Sequence, residues 1–428
     1  MNKKAIIILL CIGLIFLLIC WPHKVVIKLG IFAGSNWDVP SGDSYYVIDH
    51  AIERFEKTHK NVEIEYQSGI LKEDYSSWLS QQILKGEEPD VFMILSEDFN
   101  TLSSLGALKD LHGFMKQDHQ FDTSLYYQSV LQAGIFQKKQ YALPYESNPT
   151  LMFVNKTLLK KEGISIPDND WSLDDFYRIC QKVTKDSNHD GIIDQYGYYN
   201  YDWLDSIYGH GGQLFNEDGT MCYLNQQSVK DSLVFLQKLT ALNQGYRVSA
   251  EQFDKGQVAF SPMPLSQYRT YKPYPWRVKK YSQFEWDCVK MPSLSNQQGH
   301  SQISTLLMGL SSRSQHEQLA WEFLKTLTYD QQTQIELIEY SQGISSLKTV
   351  SESKHTLDIL KEEAGDSQVN LSLLKDVMEN AMNHNQFKKY ESALNLLTTH
   401  IQQIIDNNAD IDTSLIDLQK QMNQYLKD

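Results

Sequence analysis

Cysteine is scarce in this chain: five residues in 428. Two of them, Cys11 and Cys20, fall inside the apolar N-terminal run. The other three, Cys180, Cys222 and Cys288, cannot all pair with one another. They carry no CxxC spacing and join no Cys/His cluster, which excludes a zinc site of the usual kind. Cys180 falls on the apolar stripe of a predicted helix and Cys288 in a strand-like "WDCVKM". All three read as small buried hydrophobes. Basic excess is missing too. The net charge of −14 argues against a nucleic-acid partner, whose footprint is positive. No Gly-rich phosphate loop appears, so a nucleotide enzyme is not indicated. Repeats, low-complexity tracts and charge blocks are likewise absent.

Long apolar runs are missing except at the start. Lys3 and Lys4 precede an unbroken stretch from Ala5 to Trp21. A basic n-region before an apolar h-region marks an exported chain. The stretch is short for a spanning helix, which needs about 20 apolar residues. "LLIC" (17–20) looks like a lipobox whose cysteine, Cys20, would be acylated, although Ile19 stands where such sites want a small residue. The alternative is an uncleaved signal anchor. Either way the body of the protein is expected on the outer side of the membrane, tethered to it.

Beyond the leader the composition is that of an ordinary globular protein, 41% apolar and 21% charged over the whole chain, with length enough for two domains. "VVIKLGIF" (25–32), "NVEIEYQ" (61–67) and "DVFMI" (90–94) read as strands. "SYYVIDHAIERFEK" (44–57) and "DYSSWLSQQILKG" (74–86) read as helices, the second stopped by Gly86. Strand–helix–strand–helix–strand predicts parallel pairing with right-handed crossovers. Further on, "SLDDFYRICQKVTK" (172–185) predicts a helix capped by Ser172 with Asp175 three residues later. A second helix is expected at 229–243. Strands are expected at 257–262, 284–292 and 304–312, and from 315 onward the chain reads almost wholly helical. Pro144 and Pro149 bracket a segment expected to break a central strand ladder.

Five stretches in order resemble the carbohydrate-binding proteins of bacterial ABC importers, the class related to maltose-binding protein. They are "EPDVFMILSEDFNTLSSLGALKDL" (88–111), "YALPYESNPTLMFVNKTLLKKEGISIP" (141–167), "WSLDDFYRICQKVTKDSNHDGIIDQYG" (171–197), "FDKGQVAFSP" (253–262) and "STLLMGLSSRSQHEQLAWEFLKTL" (304–327). The resemblance implies an α/β, two-lobe periplasmic-binding-protein-like fold. Each lobe would be a mainly parallel sheet flanked by helices, and the C-terminus would be helical. Residues 1–23 would be the leader, 24–147 with 305–345 the first lobe, and 148–304 with 346–428 the second. Crossings between lobes are expected near 145–149, 303–306 and 343–348. The implied function is to capture a carbohydrate between the lobes by hinge closure and to deliver it to the transmembrane subunits of an ABC permease. A monomer is expected. A second implied role is sensory, reporting ligand to a membrane receptor or kinase without transport. Nothing carries a glycosidase signature, so no enzyme is expected.

A sugar ring needs flat aromatics for its C–H faces and polar side chains for its hydroxyl rim. In such folds the cleft lies beyond the carboxyl ends of the strands. Candidates there are Asn36, Trp37 and Asp38 after the first strand, and Ser96, Glu97 and Asp98 after the third. Glu97 and Asp98 also suit a helix N-terminus, where acidic groups are favoured. Tyr145, Glu146 and Asn148 lie at the first crossing. Asp202 and Trp203 belong to the second lobe, as does Tyr268, in a loop that departs from the family's usual Gly-rich turn and Trp. Trp171, Trp286 and Trp321 read as core. "SQGISS" (341–346) lies near the last crossing.

"DSNHDGIIDQYG" (186–197) resembles the front of a calcium loop. Asp186, Asn188, Asp190, the Ile192 carbonyl and Asp194 fall at ligand positions, and Gly191 allows the sharp turn. Position 12, where an EF-hand needs Glu, is Gly197, and a strand comes next instead of a second helix. The expectation is a structural calcium rather than a sensor, against a plain Asx-turn loop without an ion.

Overall fold

A computed structural model describes residues 24–39, 45–271, 284–294, 301–364, 369–382 and 385–427. The leader and Cys20 lie outside them. No helix among the described residues is long and apolar enough to cross a membrane.

The first lobe begins with β1 (Val25–Gly30), α1 (Tyr46–Thr58), β2 (Val62–Tyr66), α2 (Lys72–Lys85) and β3 (Val91–Ile94), followed by α3 (Ser96–Ser104). β1 pairs in parallel with β2 on one side and β3 on the other. All four residues of β3 are buried, as suits a strand covered on both faces. α1 buries Val47, Ile48, Ala51 and Phe55, one stripe at helical spacing. α2 ends where the sequence predicts: Gly86 takes φ 74° and its N–H reaches back to the Ile83 carbonyl. A left-handed turn of this kind is open to glycine at little steric cost.

β4 (Ala142–Asn155) joins the lobes. After it come α4 (Leu173–Val183), β5 (Tyr196–Tyr198), α5 (Trp203–Gly209), α6 (Gln227–Ala241), β6 (Val258–Pro264), α7 (Leu265–Tyr271) and β7 (Trp286–Val289). The chain returns through β8 (Ile303–Leu310), α8 (Glu317–Thr328), α9 (Gln331–Tyr340) and β9 (Ile344–Ser345). It finishes with α10 (Lys354–Ala364), α11 (Leu371–Glu379), α12 (Tyr390–Asp406) and α13 (Ile411–Lys427).

The sheet is mixed. β8 lies between β3 and β4 and is antiparallel to both. The front of β4 pairs with β8, from Ala142↔Gly309 to Pro149↔Ile303. Its back pairs with β6, from Thr150↔Pro264 to Val154↔Phe260, and with β7. β5 adds in parallel to β6. One fourteen-residue strand thus serves both halves of the sheet.

This corrects the expectation for Pro144 and Pro149, which sit inside β4 rather than interrupting it. Each stands where β4 has a ladder on one side only. β9 covers only Glu146 and Ser147, and the second-lobe ladder starts at Thr150. A missing N–H is tolerated at such positions.

Two hydrophobic clusters form on either side of this strand. Leu151 and Phe153 face the first and Met152 and Val154 the second, the alternation a strand imposes. The first cluster holds residues of β1 to β3 and of β8 to α9, and from the second lobe Tyr196, Val258, Met263, Leu265, Tyr268, Trp286 and Cys288. It also takes Leu360, Leu373, Leu374, Val377 and Met378 of α10 and α11. The second takes α4 to α6, α12 and α13. The C-terminal helices divide between the clusters after Met378. Trp171, Trp286 and Trp321 are core, the last fully buried with its N–H donating to Asp118. Cys180, Cys222 and Cys288 are buried and unbridged.

Candidate functional site at the junction of the lobes

The three connections between lobes lie side by side. Glu146 of β4 faces Leu306 of β8 on one side and Ser345 of β9 on the other. Its carboxylate, 3% exposed, accepts hydrogen bonds from the Ser341 hydroxyl and from the Gly343 N–H, the latter at 2.7 Å. The buried Arg269 guanidinium donates to the Gly343 and Ile338 carbonyls, both at 2.7 Å. Burial raises the Glu146 carboxyl above its ordinary range, while Ser341, the nearby Trp37 indole, Gly343 and Arg269 pull it back. Trp37 is buried, and its Nε1 has no partner at hydrogen-bond geometry. Glu146 is thus a latch on the third crossing.

Asn148 is also occupied. Its Oδ1 accepts from the Ser266 N–H at 3.0 Å and its Nδ2 donates to the Ser266 hydroxyl at 2.9 Å, tying β4 to the start of α7. Tyr268, on that helix, is 1% exposed and packs edge-on to Phe153 at 5.4 Å. Neither presents a polar group or an aromatic face to a ligand in this conformation.

Two hollows flank β8. One, of about 540 Å³ and open to solvent, is lined by Asn36, Tyr145, Glu146, Leu306, Tyr340 and Ser341, among others. Tyr340 is half exposed there and packs on Tyr46 with ring centres 4.0 Å apart. Asp38 turns outward to an ion pair with Lys72 at 2.9 Å. Asn36 contributes its backbone carbonyl to the same lysine at 2.6 Å.

The other hollow, about 370 Å³ counting the solvent open to it, lies between the lobes. From the first lobe come Ser96, Phe99 and Asn100 of α3 with Ile303, Thr305 and Leu307 of β8. From the second-lobe side come Gln386 and Glu391. β8 explains the division: Thr305 and Leu307 project to this side and Leu306 to the other. Three side chains here hold buried polar atoms without a partner: Asn100 Oδ1, Thr305 Oγ1 and Gln386 Oε1. Asn100 and Thr305 are 3% and 4% exposed. A buried acceptor left unpaired costs about 1–3 kcal/mol. Such groups are rare in native structures, and each calls for a cause. All three belong to residues that line this hollow, and all three atoms are closed to solvent in this conformation.

One carboxylate, Glu391, lines this hollow. Glu391 is held above its ordinary range by burial and by the Glu97 charge from the opposite lobe. Asp202 is the N-cap of α5 and forms a reciprocal capping box with Asp205. Burial raises its carboxyl, while the Asp205 and Leu204 N–H groups pull it back. Asp205 is buried and accepts from Gln302 Nε2 at 2.9 Å. Burial, then the Asp202 charge, push it upward. Tyr208 feels both aspartates and shares a hydrogen bond with Tyr390, the neighbour of Glu391. Asp98, by contrast, turns to α2 and accepts from the Ser76 hydroxyl at 2.5 Å. Trp203 is packed in the second cluster at 4% exposure.

Of the residues singled out from sequence, Ser96 lines this hollow, and Asn36, Tyr145 and Glu146 line the other. Asn100, Thr305, Gln386 and Glu391 were missed. Asn100 falls on the buried side of its helix and Thr305 within a strand. A polar residue at an apolar position of a periodic pattern was the available signal for both.

The 186–194 loop closes on itself. Asp186 accepts from the N–H groups of His189 and Gly191 at 2.7 Å and of Asp190 at 3.3 Å. Asp190 Oδ1 accepts from Ile192 and Asp194 from Ser187. Among the described residues no three His, Cys, Asp or Glu side chains converge on a point that could hold a metal.

Comparison with known proteins agrees with this architecture. The Galactooligosaccharide-binding protein of Bacillus subtilis is 23% identical over 426 residues, covering 93% of each chain. Among solved structures, a cyclic alpha-maltosyl-1,6-maltose binding protein from Arthrobacter globiformis superposes with a TM-score of 0.79. It is 16% identical and covers 94% of this chain and 99% of its own. An ABC substrate-binding protein from Listeria monocytogenes, in complex with cycloalternan, gives 0.69 at 18% identity over 94% and 99%. At these identities the structural likeness establishes the two-lobe fold. The profile of one family, bacterial extracellular solute-binding protein, matches residues 40–334. The chain belongs to the bacterial extracellular solute-binding proteins.

Proposed function

We propose that this protein captures an oligosaccharide between its lobes outside the cell, by hinge closure, and passes it to the transmembrane subunits of an ABC permease. One observation carries the reading. The junction hollow gathers three buried, unpartnered polar atoms, on Asn100, Thr305 and Gln386, from both lobes. Two of these are amide oxygens, which only accept, and the third is a hydroxyl. Once movement of the lobes uncovers them, a ligand rich in hydroxyl donors satisfies them. The saccharides in the names of the Bacillus, Arthrobacter and Listeria relatives support the same class. Those names describe binding rather than catalysis.

Tethering to the outer membrane face through the 1–23 leader, with Cys20 as the acylation site, is part of the proposal. It is tested by mass spectrometry of the mature N-terminus; an intact Met1 discards the lipoprotein form. A structural calcium in the 186–194 loop is proposed from the sequence. A melting midpoint that rises with calcium and falls with chelator supports it, and an unmoved midpoint discards it.

The central test is calorimetric titration with neutral oligosaccharides, galactooligosaccharides first. Saturable binding with one site is expected. Silence across glucose- and galactose-based oligomers alike would sink the carbohydrate reading.

A further inference from the structure

Resting on the reading of hinge closure, we infer that α7 moves with the first lobe, although chain order places it in the second, and that Arg269 is the positioning residue that holds it there. The bend then falls at one level in two neighbouring segments. In β4 it lies between Pro149 and Thr150. In the other it lies between Pro264 and Leu265, where β6 runs into α7.

The ladders mark that level. Pro149↔Ile303 ends the first-lobe pairing of β4, and Thr150↔Pro264 begins the second-lobe pairing. Just inside the first-lobe part of β4, Asn148 holds the first turn of α7 through the Ser266 N–H and hydroxyl. One turn further on, Arg269 is 1% exposed and donates to the carbonyls of Ile338 in α9 and of Gly343 beyond it. α9 packs in turn on α1, and α7 itself touches α10. Gly343 is gripped from two sides: its N–H goes to Glu146 and its carbonyl to Arg269. No side chain fits at this position, because a Cβ there would run into the Glu146 carboxylate.

Packing alone would not assign α7. Leu265 and Tyr268 belong to the first cluster, but so do Tyr196, Trp286 and Cys288 from strands of the second lobe. The guanidinium decides. It is always charged, and its planar fork fixes the direction of both carbonyls as well as their distance. Pulling α7 off the third crossing would strip a buried cation of two partners and leave two carbonyls of buried residues unpaired. A bend between Pro264 and Leu265 breaks neither bond.

The test reads distances by electron spin resonance on the mature protein. Spin labels are carried on ketone side chains introduced in pairs at Lys57 on α1, Lys238 on α6 and Gln267 on α7. With saturating galactotriose the α1–α6 distance is expected to change by more than about 2 Å and the α1–α7 distance by less than about 1 Å. Without sugar, Arg269→Met should broaden the α1–α7 distribution and leave α1–α6 as in wild type. Arg269→Lys, which keeps the charge but not the fork, gives a second reading should the first variant fold poorly. An α1–α7 distance that follows α1–α6 on adding sugar overturns the inference and leaves closure intact. So does an α1–α7 distribution that neither variant broadens, or a broadening of both pairs alike, which marks a general loss of packing. An α1–α6 distance that stays fixed with sugar bound overturns closure and the inference together. Should galactotriose not bind, the carbohydrate reading loses that support, and the two variants still decide where α7 is held.

Discussion

At the scale of the residue, Thr305 separates stability from function. Its hydroxyl is buried and unpartnered. Replacing it by the isosteric Val removes a desolvated polar atom, so Thr305→Val should leave the free protein as stable or more stable, by up to about 1 kcal/mol. The same change should weaken oligosaccharide binding about fivefold or more. Stability and affinity falling together would instead mark a purely structural threonine. Asp205 gives a pH signature. Its carboxyl is raised in the fold by burial and by Asp202. The stability it contributes is therefore complete below its unfolded value, near 4, and is lost as pH rises through the elevated one. Asp205→Asn escapes that loss. Its melting midpoint relative to wild type should become more favourable from pH 4 to pH 8, and a difference flat with pH would refute the assignment. Sequence placed several polar residues near the cleft but could not assign their partners. Asn148 and Glu146 read as sugar ligands because they lie at the first crossing between lobes. Only the fold reveals that Ser266, Ser341 and Gly343 already occupy them.

At the scale of the element, local rules carried far. Ser172 and Asp175 form the reciprocal box the sequence predicts, with the Asp175 N–H donating to Ser172 Oγ at 3.1 Å. Ser172→Ala should cost about 1 kcal/mol, measured by urea denaturation, with ligand affinity unchanged. Gly86 stops α2, and the early strands lie within two residues of their expected ends. These features are legible because capping and periodicity are decided within a few residues of chain. The prolines of β4 were misread for the opposite reason. Whether Pro144 tolerates a strand depends on which side has a neighbour, and that neighbour, β8, arrives more than 150 residues later. The calcium-like loop belongs between these cases. Its turn chemistry is local and present, with Asp186 accepting three backbone N–H groups. An ion is a question of remaining ligands, which spacing alone does not answer.

At the scale of the whole molecule, the family and its two-lobe plan were legible from five ordered stretches, while the clusters that each C-terminal helix joins were not. Amphipathic patterning tells that a helix packs, not against which cluster, so α10 and α11 could not be parted from α12. Closure is the expected response to ligand. Small-angle scattering should show the radius of gyration fall on adding saturating oligosaccharide; an unchanged value would mean that the lobes are already closed without it. The shared strand has a further consequence, for the order of assembly. The first lobe starts at residue 25, but its sheet lacks the strand between β3 and β4 until residue 310 has been made. The N-terminal lobe thus cannot finish before the second has been synthesised, so neither folds as a finished unit behind the other. A fragment ending before β8 should remain open to protease, and the intact chain should refold in one slow concerted phase rather than lobe by lobe.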